Sequence, residues 1–360
     1  MATERVPFVL MRGGSSRGPV VRGSDLPSDP GERDDVVLKI LGSPQAAQVD
    51  GLGGAQPITS KLVVVDAPGD DDEADAHYQV ANAAITTADV DWAGTCGNMT
   101  AAAALFVLEQ VRRDGRAPSQ SAVRLRNRST GKIIHADVRS AGVGAEARLL
   151  TRHLDPGGSV TGRLLPTGSA ADVLETDWGS VRATILDVAH PFVMVPAKDV
   201  LPDAAPARLT DLLQQEQYLT RVEQVRVRAQ QRMAAITPEC QQFTGSDTVP
   251  RIALTGHDGA FAATVQVTCL SFGRVLASLP VTAALCLAVA AMTPGSVLWA
   301  GPRSAPDGTV TIGYPAGTRA VEVEMRDGGV LAWVGLAMTA RTIAEGVAFV
   351  VRSPQSIGAD

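Results

Sequence analysis

Two stretches of the sequence are apolar over complete helical turns. Residues Thr100–Leu108 read Thr-Ala-Ala-Ala-Ala-Leu-Phe-Val-Leu, and residues Ala284–Met292 read Ala-Leu-Cys-Leu-Ala-Val-Ala-Ala-Met. A helix without a polar face must be surrounded by protein. Each stretch is also far shorter than the ~20 apolar residues of a membrane span. Because β-rich runs surround both stretches, the sequence predicts a sheet curled around a buried helix, and it predicts this arrangement twice.

A short internal match supports such a repeat. Pro7-Phe-Val-Leu-Met in the first half resembles Pro191-Phe-Val-Met-Val in the second half. The spacing from Pro7 to Cys96 is 89 residues, and the spacing from Pro191 to Pro280 is also 89. Cys96 and Pro280 each stand just before one of the apolar helices. We therefore predict an α+β protein of two pseudo-symmetric lobes, each a curled, mostly antiparallel sheet around a central helix.

The length of 360 residues fits two domains of about 100–200 residues each. We place the N-terminal lobe at residues 1–182 and the C-terminal lobe at residues 183–345. The C-terminal strand, at 346–360, is a candidate to join the first lobe. Two lobes of this kind would face each other across a cleft, where we expect the active site.

The predicted elements follow the hydrophobic periodicity and the turn residues. Helices are predicted at Pro30–Leu41, Thr100–Arg113, Leu209–Met233, Val281–Met292 and Thr339–Glu345. Strands are predicted at Val6–Met11, Lys61–Val65, Tyr78–Ile85, Ala122–Asn127, Lys132–Val138, Arg182–Val188, Phe192–Val195, Arg251–Leu254, Ala262–Ser271, Thr309–Ile312 and Ala320–Met325.

Composition excludes several classes of protein. The net charge is −6 and the basic residues are spread along the whole chain, whereas a nucleic-acid binder carries a basic patch or stripe. The start of the sequence lacks a basic region followed by an apolar one, so we expect no secretory signal, no membrane partner and a cytoplasmic location. The four cysteines and five histidines are dispersed, so we expect neither a metal site nor a disulfide framework.

The segment Thr95-Cys96-Gly97-Asn98-Met99 leads into the first apolar helix. The first N–H groups of a helix lack partners and its dipole is positive there, so anions bind and a thiolate is favoured over a thiol. Gly97 permits close approach of a carboxylate, and Asn98 can cap the helix or bind substrate. Cys96 is thus a candidate acid or base. The structural alternative is a small buried cysteine at a helix cap.

The segment from Gly51 to Lys61 ends in Thr59-Ser60-Lys61, directly before an apolar strand. Desolvation beside a buried strand disfavours an ammonium group, and the neutral amine is a base. A phosphate-binding loop is rejected because Ser60 precedes the lysine, where that motif has glycine, and a strand follows it rather than a helix. The structural alternative is a lysine at a strand edge.

Two further segments are candidates for carboxylate binding. Met11-Arg12-Gly13-Gly14-Ser15-Ser16-Arg17-Gly18 combines glycine and serine donors with two arginines, which suits an anion, although an ordinary tight turn has the same composition. In the second half, the N–H groups of Thr282 and Ala283 open the second apolar helix after Pro280. The other three cysteines are interpreted as structural.

Taken together, these segments resemble the PrpF family, which includes 4-oxalomesaconate tautomerase and 3-methylitaconate isomerase and has the diaminopimelate-epimerase-like fold. The resemblance runs nearly end to end. It rests on motifs at Met11–Gly18, Leu26–Pro30, Leu41–Pro44, Gln48–Ala55, Thr59–Lys61, Cys96–Met99, Leu164–Gly168, Pro280–Gly295 and Thr339–Thr342.

The resemblance implies a catalytic pair, Lys61 and Cys96. From the segments described above, we select as substrate-binding residues Arg12, Ser15, Ser16, Arg17, Thr59, Ser60, Gly97, Asn98, Met99, Thr282 and Ala283. The resemblance also implies a cofactor-independent 1,3-allylic proton shift, with double-bond migration or cis-trans isomerisation, on a small unsaturated di- or tricarboxylate. Lys61 is our preferred base and Cys96 the preferred acid, but the sequence leaves the opposite assignment open. It also leaves open a homodimer.

Some positions depart from the family pattern. Arg17 stands where lysine is usual, Ser15 where threonine is usual, and Tyr314-Pro-Ala-Gly317 where His-Pro-Ser-Gly is usual. The stretch before Pro280 lacks a histidine that many relatives carry. These departures leave open which carboxylic acid is the substrate.

Two alternative functions remain. One is an amino-acid racemase or epimerase of the same fold, which would use one cysteine from each lobe, whereas Pro280 stands at the mirrored position here. The other is a catalytically silent polycarboxylate-binding protein, which would have no need of a thiol.

Overall fold

The computed structural model describes residues 3–351 except for 71, 114–121, 140–141, 143, 202–210, 212, 257–260, 272–273 and 302–306. The chain divides into two compact units. Unit 1 comprises Met1–Thr151 and the chain from Ala337 onward, and unit 2 comprises Arg152–Leu336. The sequence analysis had placed these boundaries at 182 and 345. At the first boundary, residues 172–176 form a strand that pairs with residues 179–183 of unit 2, so they belong to unit 2.

Unit 1 is built on a mixed sheet. In chain order its elements are β1 (Thr3–Gly13), β2 (Ser16–Arg22), α1 (Pro30–Leu41), β3 (Lys61–Asp66), β4 (Ala76–Ala83), β5 (Val90–Asp91), α2 (Gly97–Arg113), β6 (Ala122–Asn127) and β7 (Ile133–Arg139), and β8 (Ala147–Leu154) begins in it. Strands β1 and β2 are antiparallel, β2 and β3 parallel, β3 and β4 antiparallel, β4 and β6 parallel, and β6 and β7 antiparallel.

The sheet of unit 1 has two faces, because successive side chains along a strand point in opposite directions. Val21, Leu62, Val64 and Ala81 point to the side that α1 covers, which we call the α1 face. The opposite side, the α2 face, contains Tyr78, whose hydroxyl contacts α2. Helix α2 is buried at nearly every position from its first residue to Glu109. The prediction that protein surrounds this helix is confirmed.

Unit 2 is also sheet-rich. Its elements are β9 (Asp172–Thr176), β10 (Gly179–Val188), β11 (His190–Pro196), α3 (Ala197–Val200), α4 (Glu216–Ile236), β12 (Arg251–Thr255), β13 (Val265–Ser271), β14 (Arg274–Val275), α5 (Val281–Met292), β15 (Thr309–Tyr314) and β16 (Gly317–Arg326), and β17 (Val330–Val351) begins in it. Strands β10 and β11 are antiparallel, β11 and β12 parallel, β12 and β13 antiparallel, β13 and β15 parallel, and β15 and β16 antiparallel. Helix α5 is buried from Val281 to Ala291, as its apolar sequence predicts.

The two units repeat one topology. The pairing order from β1 to β7 alternates antiparallel and parallel pairs in the same sequence as the order from β10 to β16. In each unit the buried helix follows a short strand, β5 or β14. Cys96 directly precedes α2, and Pro280 is the N-cap of α5, so the predicted equivalence of these two positions is supported. The sequence match at Pro191, however, lies in β11, whose place in the order is that of β2 rather than of β1.

One predicted helix is wrong. Residues Thr339–Glu345 lie in strand β17, which pairs antiparallel with β1. Met338, Ala340 and Thr342 are buried and Ala337 and Arg341 exposed, which is the alternation of a strand whose one face is covered. Pairing with β1 therefore overrides the local helical pattern. The predicted helix Leu209–Met233 is described from Glu216, and 209–210 and 212 lie outside the described residues.

Within the described ranges, no helix combines the length and the hydropathy that crossing a lipid bilayer requires.

Candidate active site

The β1–β2 hairpin and the N-terminus of α2 are in direct contact. Gly14 and Ser15 form the turn, and Gly14 has a φ of 51°, a left-handed conformation that glycine adopts without strain. A Cβ atom on Gly13 would lie 2.0 Å from the carbonyl oxygen of Asn98, so only glycine permits this approach. The Asn98 side chain donates to the hydroxyls of Ser15 at 3.0 Å and Ser16 at 3.3 Å.

Cys96 lies immediately before α2 and is partly exposed. Its sulfur is 3.8 Å from the Ser16 hydroxyl oxygen. Its carbonyl oxygen accepts from the N–H of Thr100 at 3.0 Å and from the Thr100 hydroxyl at 3.2 Å. The backbone of Cys96 is thereby held to the first turn of the helix, at its positive end.

A buried chain of hydrogen bonds supports this turn. The Asn127 amide donates to the Tyr78 hydroxyl at 3.0 Å, which lies 2.8 Å from the Thr100 hydroxyl. Since the Thr100 hydrogen is donated to Cys96, Thr100 accepts from Tyr78. Burial raises the pKa of Tyr78 to about 12, so this hydroxyl keeps its proton near neutral pH.

Lys61 is the first residue of β3, and its register places it on the α2 face. It is two residues before Val63, which pairs with Val20 in the parallel ladder of β2 and β3, so it lies beside Gly18 of β2. A Cβ atom on Gly18 would approach the carbonyl oxygen of Lys61 at 2.1 Å and the terminal methyl of Met99 at 3.6 Å. Lys61 and the segment Cys96–Met99 thus lie on one face of one sheet.

The amine of Lys61 donates to the side-chain oxygen of Asn82 at 2.6 Å. Asn82 is the residue that pairs with Lys61 in the β3–β4 ladder. Among the residues that the structure describes, no carboxylate forms an ion pair with Lys61, so a neutral amide is its side-chain partner.

Arg12 and Arg17 differ from the serines in their placement. Both belong to the strand positions that alternate with Ser16 and Gly18, and so they lie on the opposite face of the hairpin. The Arg12 guanidinium pairs with Glu146 at 2.7 Å and donates to the Thr339 hydroxyl at 2.9 Å. Arg17 lies 3.5 Å from the carbonyl of Gly53. Its Nε is buried and has no hydrogen-bond acceptor among the described residues.

The loop before Lys61 is organised by Gln48. The side-chain oxygen of Gln48 accepts from the N–H of Ala55 at 2.7 Å and from the hydroxyl of Ser60 at 2.9 Å. Ser60 is almost fully buried, and the Thr59 hydroxyl donates to the carbonyl of Gln56. Both hydroxyls therefore take part in folding the loop that delivers Lys61.

The remaining predicted binding residues are mostly buried. Gly97 and Met99 lie in the first turn of α2, and Met99 packs against Gly18. Thr282 and Ala283 lie in the first turn of α5, in unit 2, and are also buried. Their role in holding a carboxylate stays a prediction.

The other cysteines have different surroundings. Cys240, Cys269 and Cys286 are buried. Burial raises the pKa of Cys240 to about 11 and that of Cys269 to about 12, and the Cys286 thiol donates to the carbonyl of Leu186. These thiols stay protonated near neutral pH, in agreement with a structural role. The described residues contain no group of three or more His, Cys, Asp or Glu side chains that could hold a metal ion.

Sequence reasoning missed several residues of this site, namely Gln48, Tyr78, Asn82 and Thr95. Asn82 and Tyr78 lie in a predicted strand, and nothing in the sequence indicates which lysine or helix they face. Thr95 precedes Cys96, and its buried hydroxyl has no hydrogen-bond partner among the described residues. The available signals were the place of Gln48 in the Gln48–Ala55 motif and the place of Thr95 beside a candidate catalytic cysteine.

Comparison with known proteins gives a consistent result. Residues 3–351 match the family model described as PrpF protein. The chain is 34% identical to 3-methylitaconate isomerase of Eubacterium barkeri, over 97% of this chain and 98% of that protein. It is 32% identical to 4-oxalomesaconate tautomerase of Pseudomonas putida, over 98% of each.

Solved structures agree with the fold. A crystal structure of methylitaconate-delta-isomerase superimposes with a TM-score of 0.80 at 30% identity and covers 99% of both chains. A hydroxyproline epimerase from Agrobacterium vitis has a TM-score of 0.55 at 16% identity and covers 96% of this chain and 92% of that one. The epimerase-like fold predicted from the sequence is confirmed, and the second likeness extends to the fold alone.

Proposed function

The chain belongs to the PrpF family, and from this membership and the geometry around Lys61 we propose that it catalyses a 1,3-allylic proton shift on a small unsaturated di- or tricarboxylate. The observation that carries the proposal is the placement of Lys61 and Cys96 on one face of the unit 1 sheet, at the N-terminal end of α2. The named relatives, an isomerase and a tautomerase, support the same reaction class.

The reaction needs two proton-transfer groups and no redox partner. A base removes a proton from the carbon next to the double bond, and the C–H electron pair becomes the new double bond. The former π pair moves to the far carbon, which takes a proton from an acid, so the composition of the substrate is unchanged. We propose Lys61 as the base and Cys96 as the acid, and the opposite assignment fits the same geometry.

Stabilisation of the intermediate is the second requirement, because a proton next to a carboxylate is only weakly acidic. Negative charge develops on the carboxylate as the proton leaves, and preorganised donors stabilise it. We propose that the N–H groups at the start of α2 hold one carboxylate, as helix N-termini hold anions. The hydroxyl of Ser15, which accepts from the Asn98 amide, is available as a further donor.

The Arg17 guanidinium is a candidate for a second carboxylate. Its buried Nε lacks an acceptor among the described residues, and leaving a buried donor unpaired costs about 1–3 kcal/mol. A substrate carboxylate would satisfy it. This assignment requires a substrate that reaches to the far side of the hairpin turn, and it favours a di- or tricarboxylate over a monocarboxylate.

A racemase that uses two thiols is less well supported. Such an enzyme needs a second acid or base at the position before α5, where Pro280 stands. A proline side chain carries no transferable proton. The nearest cysteine in sequence, Cys286, is buried inside the helix and engaged with Leu186.

The test is proton exchange in D2O followed by NMR, with aconitate, itaconate, 3-methylitaconate and oxalomesaconate as candidate acids. We expect deuterium uptake together with migration of the double bond for at least one acid. Lys61→Ala and Cys96→Ala should each lower the rate by orders of magnitude, whereas the controls Lys39→Ala and Cys269→Ala should keep it.

The other outcomes identify the alternatives. Uptake of deuterium without migration of the double bond would indicate epimerase chemistry. Binding of an acid without any uptake would indicate a polycarboxylate-binding protein. Either result contradicts the proposal, as does wild-type turnover by Lys61→Ala.

A further inference from the structure

The side chain of Asn82 is fixed in one orientation. Its Nδ2 donates to the carbonyl oxygens of Asp91 at 3.3 Å and of Gly94 at 3.2 Å. Only the nitrogen of an amide can donate to carbonyls, so these two contacts determine which end of the amide is which. The oxygen must then point the other way, where it accepts from the Lys61 amine at 2.6 Å.

The backbone around Asn82 is arranged to make these contacts. Asn82 pairs with Lys61 in the ladder of β3 and β4 and with Asp91 in the ladder of β4 and β5. The Asp91 carboxylate accepts from the N–H groups of Ala93 at 2.9 Å and Gly94 at 3.1 Å, which holds the loop against β4. A Cβ atom on Gly94 would lie 2.9 Å from the Asn82 nitrogen, so glycine permits the close approach.

This amide therefore links the Lys61 amine to the loop that leads to Cys96. One end of it holds the Lys61 amine, and the other end holds the carbonyl of Gly94, two residues before Cys96. We infer that Asn82 is a positioning residue that fixes the Lys61 amine relative to the Cys96 segment, an inference that rests on the proposed function of these two residues.

The chemistry of an amide suits this task better than that of a carboxylate. An amide oxygen accepts an N–H from an ammonium group and from a neutral amine alike. The contact persists when Lys61 gains or loses a proton. A carboxylate at the same place would favour the ammonium form through its charge, and it could not donate to the carbonyls of Asp91 and Gly94.

Two substitutions separate positioning from folding. Asn82→Asp keeps the shape of the side chain and its acceptor for Lys61, adds a charge next to Lys61 and removes the donation to the carbonyls of Asp91 and Gly94. The limb of the kcat/KM pH profile that belongs to Lys61 should then move to higher pH by about one unit or more. Asn82→Ala should lower kcat about 100-fold, as expected when a reacting group is misplaced, with KM changed less than about threefold.

Gln79→Ala is the matched control. Gln79 lies on the same strand, and its amide also donates to a loop carbonyl, that of Trp92 at 3.2 Å. It makes this contact on the α1 face, away from Lys61. Its substitution should leave the pH profile and kcat unchanged. That result would show that loss of an amide from β4 does not by itself cause the effects expected of the Asn82 variants.

A second readout does not depend on turnover. The chain has four lysines, Lys39, Lys61, Lys132 and Lys198, so protein labelled with 13Cε-lysine gives few NMR signals, and Lys61→Arg assigns the one of interest. In Asn82→Asp this signal should titrate at higher pH than in the wild type, and in Gln79→Ala it should titrate as in the wild type. An unchanged titration in Asn82→Asp would overturn the inference.

The two failures can be told apart. Wild-type protein that turns over none of the acids would contradict the proposed function, while the NMR titration would still report whether Asn82 contacts Lys61. Wild-type turnover together with an unshifted pH profile in Asn82→Asp would contradict the inference alone.

Discussion

The hydroxyl oxygen of Ser16 lies 3.8 Å from the sulfur of Cys96, although the two residues are 80 positions apart in sequence. The contact exists because the β1–β2 hairpin packs on the first turn of α2, where Gly13 allows the backbones to approach. When the Cys96 thiol gives up its proton in the proposed reaction, the Ser16 hydroxyl can donate a hydrogen bond to the thiolate that forms.

Removal of this hydroxyl should slow the reaction. A hydrogen bond to a charged group contributes about 1.5–3 kcal/mol, so Ser16→Ala should lower kcat/KM about 10- to 100-fold in the deuterium-exchange assay. The control is Ser180→Ala, since Ser180 is exposed and bonds to Glu175 on the surface of unit 2. Equal rates for Ser16→Ala and the wild type would exclude a role of the hydroxyl.

Gly18→Ala should destabilise the protein. The added methyl group would lie 2.1 Å from the backbone oxygen of Lys61, and a backbone strand cannot move aside as a flexible side chain can. We expect the free energy of unfolding to fall by about 3 kcal/mol, the upper part of the range for overpacking. Gly69→Ala, where nothing lies within 4 Å of the added carbon, should stay within ~0.5 kcal/mol of the wild type. Urea unfolding measures the stability of both variants. Similar stabilities would contradict the close approach of β2 to β3 at Gly18.

Tyr78→Phe tests the buried chain beneath Cys96. The substitution removes the hydroxyl that links Asn127 to Thr100 and leaves the Asn127 amide without this acceptor. We expect a loss of about 1–3 kcal/mol in the free energy of unfolding, the cost of a buried polar group left unpaired. Tyr218→Phe, on helix α4, serves as the control and should change stability little. If both variants unfold at the same temperature, the buried hydrogen bonds of Tyr78 contribute nothing to the stability of the protein.

His190 should make the stability of unit 2 sensitive to acid. Burial lowers its pKa to about 3, with a further contribution from the charge of Arg251, while the hydrogen bond to the carbonyl of Thr248 acts in the opposite direction. The unfolded chain binds a proton at this ring below its ordinary pKa of about 6.5, and the folded chain does not until about pH 3. The contribution of His190 to the free energy of unfolding is thus fully present above about pH 6.5, and it is lost progressively as the pH falls toward 3.

The magnitude follows from proton linkage. One such group lowers the free energy of unfolding by about 1.4 kcal/mol per pH unit within that window. His190→Gln, which keeps a donor for Thr248, should therefore reduce the loss between pH 7 and pH 5 by about 2 kcal/mol. An identical acid dependence in wild type and His190→Gln would contradict a neutral buried ring.

The sequence was most informative where local pattern and tertiary packing agree. Helix α1 has the predicted bounds because Asp29 caps its start and Gly42, with a φ of 76°, ends it. The all-apolar sequences of α2 and α5 predicted their burial correctly. The segment Thr339–Glu345 shows the opposite case, since pairing with β1 decides its structure and no local signal reports that pairing.

The site was predictable only in part, for a related reason. Lys61 and Cys96 could be selected because each stands at the end of a recognisable element. Asn82 could not be selected, because it meets Lys61 through the β3–β4 register, 21 residues along the chain. The opposite placement of Arg12 and Arg17 relative to Ser16 likewise depends on the strand character of the hairpin, which the sequence alone presented as a turn.

The central claim is that Lys61 and Cys96 act together in one proton shift, and a double-mutant cycle on deuterium exchange tests it most directly. Groups that act as a unit have non-additive effects. The account predicts that Lys61→Ala combined with Cys96→Ala exchanges at the rate of the slower single variant, within about threefold. A double variant slowed by the product of the two single effects would mean that the residues act independently and would contradict the account.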